Sequence, residues 1–153
     1  MSIERSWAAL AASVEVNPPA SAEDLARVEA VVGARLPEEI RASLLLHDGL
    51  PPDSVFDVTA ELETSPVNEW ILSCEEIIAE WGIWKGLYDE EDWGDTWWTP
   101  NLVPLTADGS GNSIVVDVAD GELRFMDHED GVTPCRHGSW TAYLEVVART
   151  LAA

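Results

Sequence analysis

Residues Trp98–Val118 read WTPNLVPLTADGSGNSIVVDV. A Trp-x-Pro entry leads into a short apolar run, Leu102 to Leu105, that reads as a strand. Asp108-Gly109-Ser110-Gly111-Asn112 is a turn-rich loop, and Ser113 to Val118 is a β-branched strand. Asp120-Gly121 joins that strand to a third, Glu122 to Asp127, as a hairpin. Downstream, Ser139 is placed to cap a closing helix, with Trp140, Tyr143, Leu144, Val147 and Leu151 on one stripe.

Upstream of this stretch the period is helical. Ile3, Trp7, Leu10 and Val14 mark a first helix over 3–13, broken by Asn17-Pro18-Pro19. Ser21 with Asp24 is a loose capping box for a second helix, whose face is Leu25, Val28, Val31 and Val32 and which Gly33 ends. Pro37 is placed at the first position of a third helix with Ile40, Leu44 and Leu45 buried, stopped by His47-Asp48-Gly49. Short strands are read at Val55 to Val58 and Glu69 to Leu72. Ser73 with Glu76 opens a further helix through about Lys85, with Ile77, Ile78, Trp81 and Trp84 buried, and a loop of acids and aromatics follows to Trp98. Helices first, a meander of strands next and a closing helix predict an α+β fold. The expected form is a mainly antiparallel sheet of about five to six strands with helices packed on one face.

At 153 residues, 1–153 is most simply one domain, and a chain of this size can bury roughly 68–70% of its unfolded surface without metal or disulfide. Eight Lys and Arg against 29 Asp and Glu give a net charge of −21. That field repels nucleic acid and anionic membranes and draws in a basic partner; it equally serves solubility alone. Cys74 and Cys135 read as two reduced thiols, distant in sequence. The apolar run Trp7 to Val14 lacks a clearly basic lead and meets Glu15, so it suits a helix better than a signal peptide. No stretch approaches the length of a membrane span, and the chain reads as cytoplasmic.

Catalytic and metal templates fail one by one. His47, at a helix end beside Asp48-Gly49, complements the negative end of the helix dipole. His128 suits a hydrogen-bonded turn. Cys135-x-His137 with His128 and Cys74 matches no usual zinc spacing. Asp108, Ser110 and Asn112 have the spacing of calcium-loop ligands, but Ser113 stands where that loop needs Gly and Ala119 where it needs Glu. Local side-chain hydrogen bonds suit them better. Gly109-Ser110-Gly111 lacks a P-loop lysine. No catalytic residue, metal or cofactor is expected, and the chain reads as not an enzyme.

The sharpest candidate site is the acidic and aromatic segment Tyr88, Asp89, Glu90, Glu91, Asp92, Trp93, Asp95 and Trp97. Carboxylates pair with Lys and Arg, and Trp anchors interfaces and accepts cation–π contacts. Trp97 and Trp98 suit core packing first; Trp93, beside Gly94, suits core and recognition equally.

The order of elements resembles the SUKH superfamily, the Smi/Knr-type group of fungal cell-wall assembly regulators and bacterial toxin-immunity proteins. Leu36-Pro37-Glu38-Glu39-Ile40-Arg41 and Leu45-Leu46-His47-Asp48-Gly49 resemble its helix and turn. Trp98-Thr99-Pro100, Val103-Pro104-Leu105, Asp108 to Asn112 and Val116-Asp117 resemble its central segment. Gly121-Glu122-Leu123, Asp127-His128-Glu129 and Ser139-Trp140 with Tyr143-Leu144 resemble its close. The likeness covers about 20–152 and lies in the ordered series. It implies an α+β fold without a known active site, and structural roles for Asp48, Gly49 and Asp117. It also implies either an immunity protein that occludes a toxin, often a nuclease, or a regulatory scaffold that binds a host protein. The expected partner is a basic protein, with no nucleic acid or membrane, and the expected state is a monomer or weak homodimer.

Overall fold

Capping chemistry starts the helices in the computed structural model, which describes residues 1–52, 54, 56–57, 68–91 and 93–152. Helix α1 is Ile3–Ala11, capped by Ser2, whose side chain accepts from the Arg5 N–H. Helix α2, Ala22–Val32, has a complete capping box: Ser21 Oγ accepts from Asp24 N at 3.0 Å, and Asp24 Oδ2 from Ser21 N at 3.2 Å. Gly33 closes it in the left-handed conformation. Helix α3 is Glu38–Leu46. Pro37 is its N-cap and not its first helical residue, because its ψ of 147° is extended; its carbonyl accepts from Ile40 N and Arg41 N.

Two expected stripe positions face solvent. Val31 is 41% exposed and Leu45 43%. Ser43 takes the inward position on α3 and is buried. Its hydroxyl oxygen accepts from Trp7 Nε1 at 2.8 Å and from Trp140 Nε1 at 2.9 Å. The Ser43 side chain thus supplies both acceptors that two buried indole N–H groups need.

The turn after α3 is fixed from both sides. His47 Nδ1 lies 2.8 Å from Asn17 O, and its ring centroid 5.0 Å from that of Trp7. Asp48 Oδ1 accepts from Cys74 N at 2.7 Å. Gly49 has φ +68°, and a Cβ there would lie 2.5 Å from the backbone C and O of Leu72. The turn thereby carries the start of α4, Cys74–Glu90, which has its own Ser73–Glu76 capping box.

All strand pairings are antiparallel. β1 (Phe56–Asp57), β2 (Asn68–Ile71) and β4 (Thr106–Ala107) form one ladder in that order. β3 (Leu102–Pro104), β5 (Ser113–Asp117), β6 (Leu123–Asp127) and β7 (Gly131–Pro134) form the other. Leu105 joins them: its N–H donates to Ile114 O, and its carbonyl accepts from Leu72 N. The fold is α+β and antiparallel as expected, with seven strands among the described residues. Residues 55 and 58 of the expected first strand lie outside the described residues. β4 and β7 were not read from the sequence. β4 is two residues long, and β7 is bounded by Gly131 and Pro134, so neither shows a period of two.

Ser113 to Val116 are all buried, so β5 is covered on both faces. The closing helix α5, Trp140–Ala152, packs chiefly on α1, and Ser139 Oγ caps it through Ala142 N. Tyr143 of α5 reaches back to β2, where its hydroxyl donates to Glu69 Oε2 at 2.8 Å. Glu69 is 2% exposed. Burial, ahead of the neighbouring charge of Asp108, pushes its carboxyl up to about 7, although the Tyr143 and Thr106 hydroxyls favour its charged form.

Ser43→Ala removes the shared acceptor and strands two buried indole N–H groups; we expect a loss of ~2–4 kcal/mol in urea unfolding. Gly49→Ala should cost ~3 kcal/mol or more because it forces both a positive φ and a backbone overlap. Gly33→Ala, at φ +83° with nothing within 4 Å, should cost only about 1 kcal/mol. Equal losses for the two would remove the argument from close approach. Because the folded carboxyl of Glu69 holds its proton more tightly than the ordinary 4.5, its contribution is present at low pH and is lost as pH rises through about 7. Stability measured from pH 5 to pH 8 should therefore fall by roughly 3 kcal/mol more in the native chain than in Glu69→Gln.

Candidate functional site

The expected recognition loop is partly helix. α4 runs to Glu90 instead of ending near Lys85, which places Tyr88, Asp89 and Glu90 in its last turn and Glu91 at its C-cap. Two local contacts carry the helix on: the Lys85–Asp89 ion pair one turn apart, and the Glu91 N–H donating to Leu87 O at 2.8 Å. Gly86 lies inside the extended helix without breaking it, and no proline occurs between Lys85 and Glu91. Asp92 lies outside the described residues.

Asp89, Glu90, Glu91, Trp93 and Asp95 are exposed, while Tyr88 and Trp97 are half-buried. The Tyr88 hydroxyl donates to Asp95 Oδ1 at 2.8 Å and ties the segment after the helix back to it. That hydrogen bond, followed by partial burial and the charges of Asp95 and Asp89, raises the phenol above its ordinary value. Trp98, which suited core packing first in the sequence, is fully buried.

The aromatic rings form a graded series from core to surface. Trp98 meets Trp81 at 6.2 Å and Tyr88 at 5.7 Å between ring centroids, both edge-on. Trp84 is buried and meets Trp97 at 5.5 Å; Trp97 meets Trp93 at 4.6 Å and 70°. Trp93 ends the series, 49% exposed. Trp97 Nε1 donates to His128 O at 3.1 Å, so the β6–β7 turn backs the segment. A Cβ at Gly131 would meet Thr96 O at 2.9 Å, which shows how close the two backbones lie.

The charge placement works against helix stability. A helix C-terminus carries partial negative charge and is stabilised by cations. The last turn of α4 has no basic residue and holds Asp89 and Glu90, with Glu91 following. Lys85 answers one of these charges, across an exposed pair worth little. Glu90 and Glu91 therefore oppose the dipole of the helix they end.

The sequence reading missed two parts of this surface. Glu129 and Asp130 are exposed on the turn that holds Trp97, while Asp127 Oδ1 accepts their N–H groups and shapes that turn. The signal was present as an acid run before Gly131, but only the folded chain brings it to Trp97. Ile83, on α4, is 59% exposed and lies outside the helical stripe.

The other candidates scatter. Cys74 and Cys135 are free thiols; Cys74 sits at the start of α4, and burial raises its thiol most, ahead of the Asp48 carboxylate. His128 donates its backbone N–H to Asn112 Oδ1, and its Nδ1 lies 2.9 Å from the same oxygen. Asp108 Oδ1 accepts from Ser110 N and Asn112 N, so the glycine-rich loop spends this oxygen on its own backbone. Asp117 Oδ1 likewise accepts from Ala119 N in the β5–β6 hairpin. Cys135 and His137 line a cavity with Glu69, Ile114, Phe125 and Thr133. Among the described residues no helix is long and apolar enough to cross a membrane.

Comparison with protein families matches residues 19–152 to the SMI1 / KNR4 family (SUKH-1). A search of curated proteins finds no match. The matched range takes in the α2–α3 pair, both ladders and the closing helix, and stops at the last described residue of α5. With nearly the whole chain matched and the expected α+β fold in place, this protein belongs to the SMI1/KNR4 (SUKH-1) family.

Proposed function

We propose that the chain is a non-catalytic, immunity-type binding protein that neutralises a basic toxin domain, such as a nuclease, by occluding it. The recognition surface is Tyr88, Asp89, Glu90, Glu91, Asp92, Trp93, Asp95 and Trp97. In this reading it works as a single cytoplasmic domain, monomeric or weakly dimeric. The carrying observation is the exposed Trp93 set among exposed carboxylates at the negative end of α4, where Glu90 and Glu91 oppose the helix dipole. A tryptophan held edge-on by Trp97 presents a rigid apolar plate at little entropic cost, as interface anchors do. The surrounding acids add to a field of −21, which speeds encounter with a cationic partner. Membership of the SMI1/KNR4 (SUKH-1) family supports a protein partner.

Co-expression should protect cells from the cognate toxin. Replacing Asp89, Glu90, Glu91 and Asp92 with Asn or Gln should slow association and flatten its salt dependence in stopped-flow or surface-plasmon measurements. Trp93→Ala should weaken binding about tenfold or more, mainly through faster dissociation. A quadruple variant that binds and protects as well as the native chain at low salt would show that the partner docks elsewhere. A pull-down returning a housekeeping enzyme and no toxin would favour a regulatory scaffold instead.

A further inference from the structure

Between β2, the exposed edge of β7 and the segment leading to α5 lies a cavity of about 120 Å³. Its walls include Ile114, Phe125 and Pro134, and Glu69 lies within its lining. The volume equals roughly four waters and falls well below the ~300 Å³ at which sites for drug-sized ligands begin. It suits the end of one side chain. Thr133 and Pro134 at its rim are exposed, so the cavity can be entered from solvent across an edge strand.

We propose that this cavity is a second recognition socket, which receives the alkyl cation that ends a lysine or arginine of the protein partner. The apolar walls take the methylene stem, and the Glu69 carboxylate takes the cationic head. That the cation comes from a partner protein rests on the function proposed above; that the socket prefers alkyl cations does not.

The charges around Glu69 support a cationic guest. Tyr143 and Thr106 satisfy it with hydroxyls and bring no positive charge, and Asp108 adds a negative one. Cys135, on the segment after β7, has a thiol raised by burial above all. His137, on the same segment, has its proton affinity lowered by burial and then by Arg136, which favours its neutral form. Arg136 stands exposed at the rim and is engaged in an interaction of its own. A buried carboxyl that shares its surroundings with another acid binds an incoming cation by giving up its proton.

The test uses the full chain and n-butylammonium as probe, with n-butanol as the neutral molecule of the same stem. NMR follows the Phe125 and Thr133 signals and the titration of the Glu69 carboxyl carbon. Butylammonium should shift Phe125 and Thr133 saturably and lower the Glu69 midpoint from about 7, while butanol should not move that midpoint. Glu69→Gln should weaken the response about tenfold or more. Thr133→Phe, which narrows the rim without touching Glu69, should weaken it as well. An equal response to butanol, an unmoved Glu69 midpoint, or shifts confined to Glu90, Glu91 and Asp95 would overturn the socket. None of these measurements contains a toxin, so failure here leaves the 88–97 surface standing, and failure of that surface leaves the socket standing.

Discussion

Two indole N–H groups converge on one serine hydroxyl, and the helical layer hangs on that meeting. Trp7 comes from α1, Trp140 from α5 and Ser43 from α3, so the three helices share one polar point inside an apolar core. Buried tryptophans bring large apolar surface but also a donor that must be answered. One turn earlier on α3, Glu39 accepts from Trp140 N and Thr141 Oγ1, both at 2.8 Å, and so caps α5. A single face of α3 thereby sets where the closing helix begins and how it rotates. Tyr143, one turn further along α5, then reaches Glu69 and ties the helices to β2.

Around α4 aromatic rings do a different job. The series from Trp98 through Trp81 and Tyr88, and from Trp84 through Trp97, is buried at one end and open at the other. Trp84 and Trp98 hold their indole nitrogens without a hydrogen-bond partner among the described residues. Each such group costs about 1–3 kcal/mol, a penalty that the extensive ring contacts offset. The exposed end inherits stiffness from the buried one. Trp93 is therefore a supported ring, and the backing turn at His128 and Gly131 keeps Trp97 behind it.

What the sequence disclosed was local chemistry. Ser21 with Asp24, Ser73 with Glu76 and Ser139 as a cap are short-range patterns, and each forms the bonds its spacing implies. The Asp120-Gly121 hairpin and the β5 and β6 strands were legible for the same reason. The end of α4 was not, because Lys85–Asp89 pairing and the tie from Tyr88 to Asp95 extend the helix through residues that look like a loop. Leu45 read as buried and Ser43 was not singled out, whereas Leu45 faces solvent and Ser43 answers two distant tryptophans inside the core. In the candidate surface the acids and Trp93 were legible from composition; the part played by the β6–β7 turn was not. The cavity around Glu69 draws residues from β2, β5, β6 and β7 and from the segment before α5, and no window of sequence holds that pattern.

The pairing of α1 with α5 also orders events in time. Ser6 Oγ donates to Thr141 O across 135 positions, and Trp7 waits for the same α3 hydroxyl that Trp140 shares. During synthesis the first helix emerges long before its main partner exists. Its apolar face, Trp7 and Leu10, must stay uncovered or find temporary cover until α5 leaves the ribosome. Non-local closure of this kind slows folding, since the loop entropy is lost before the contacts that offset it form. The fold thus leaves α1 unlocked until α5 arrives.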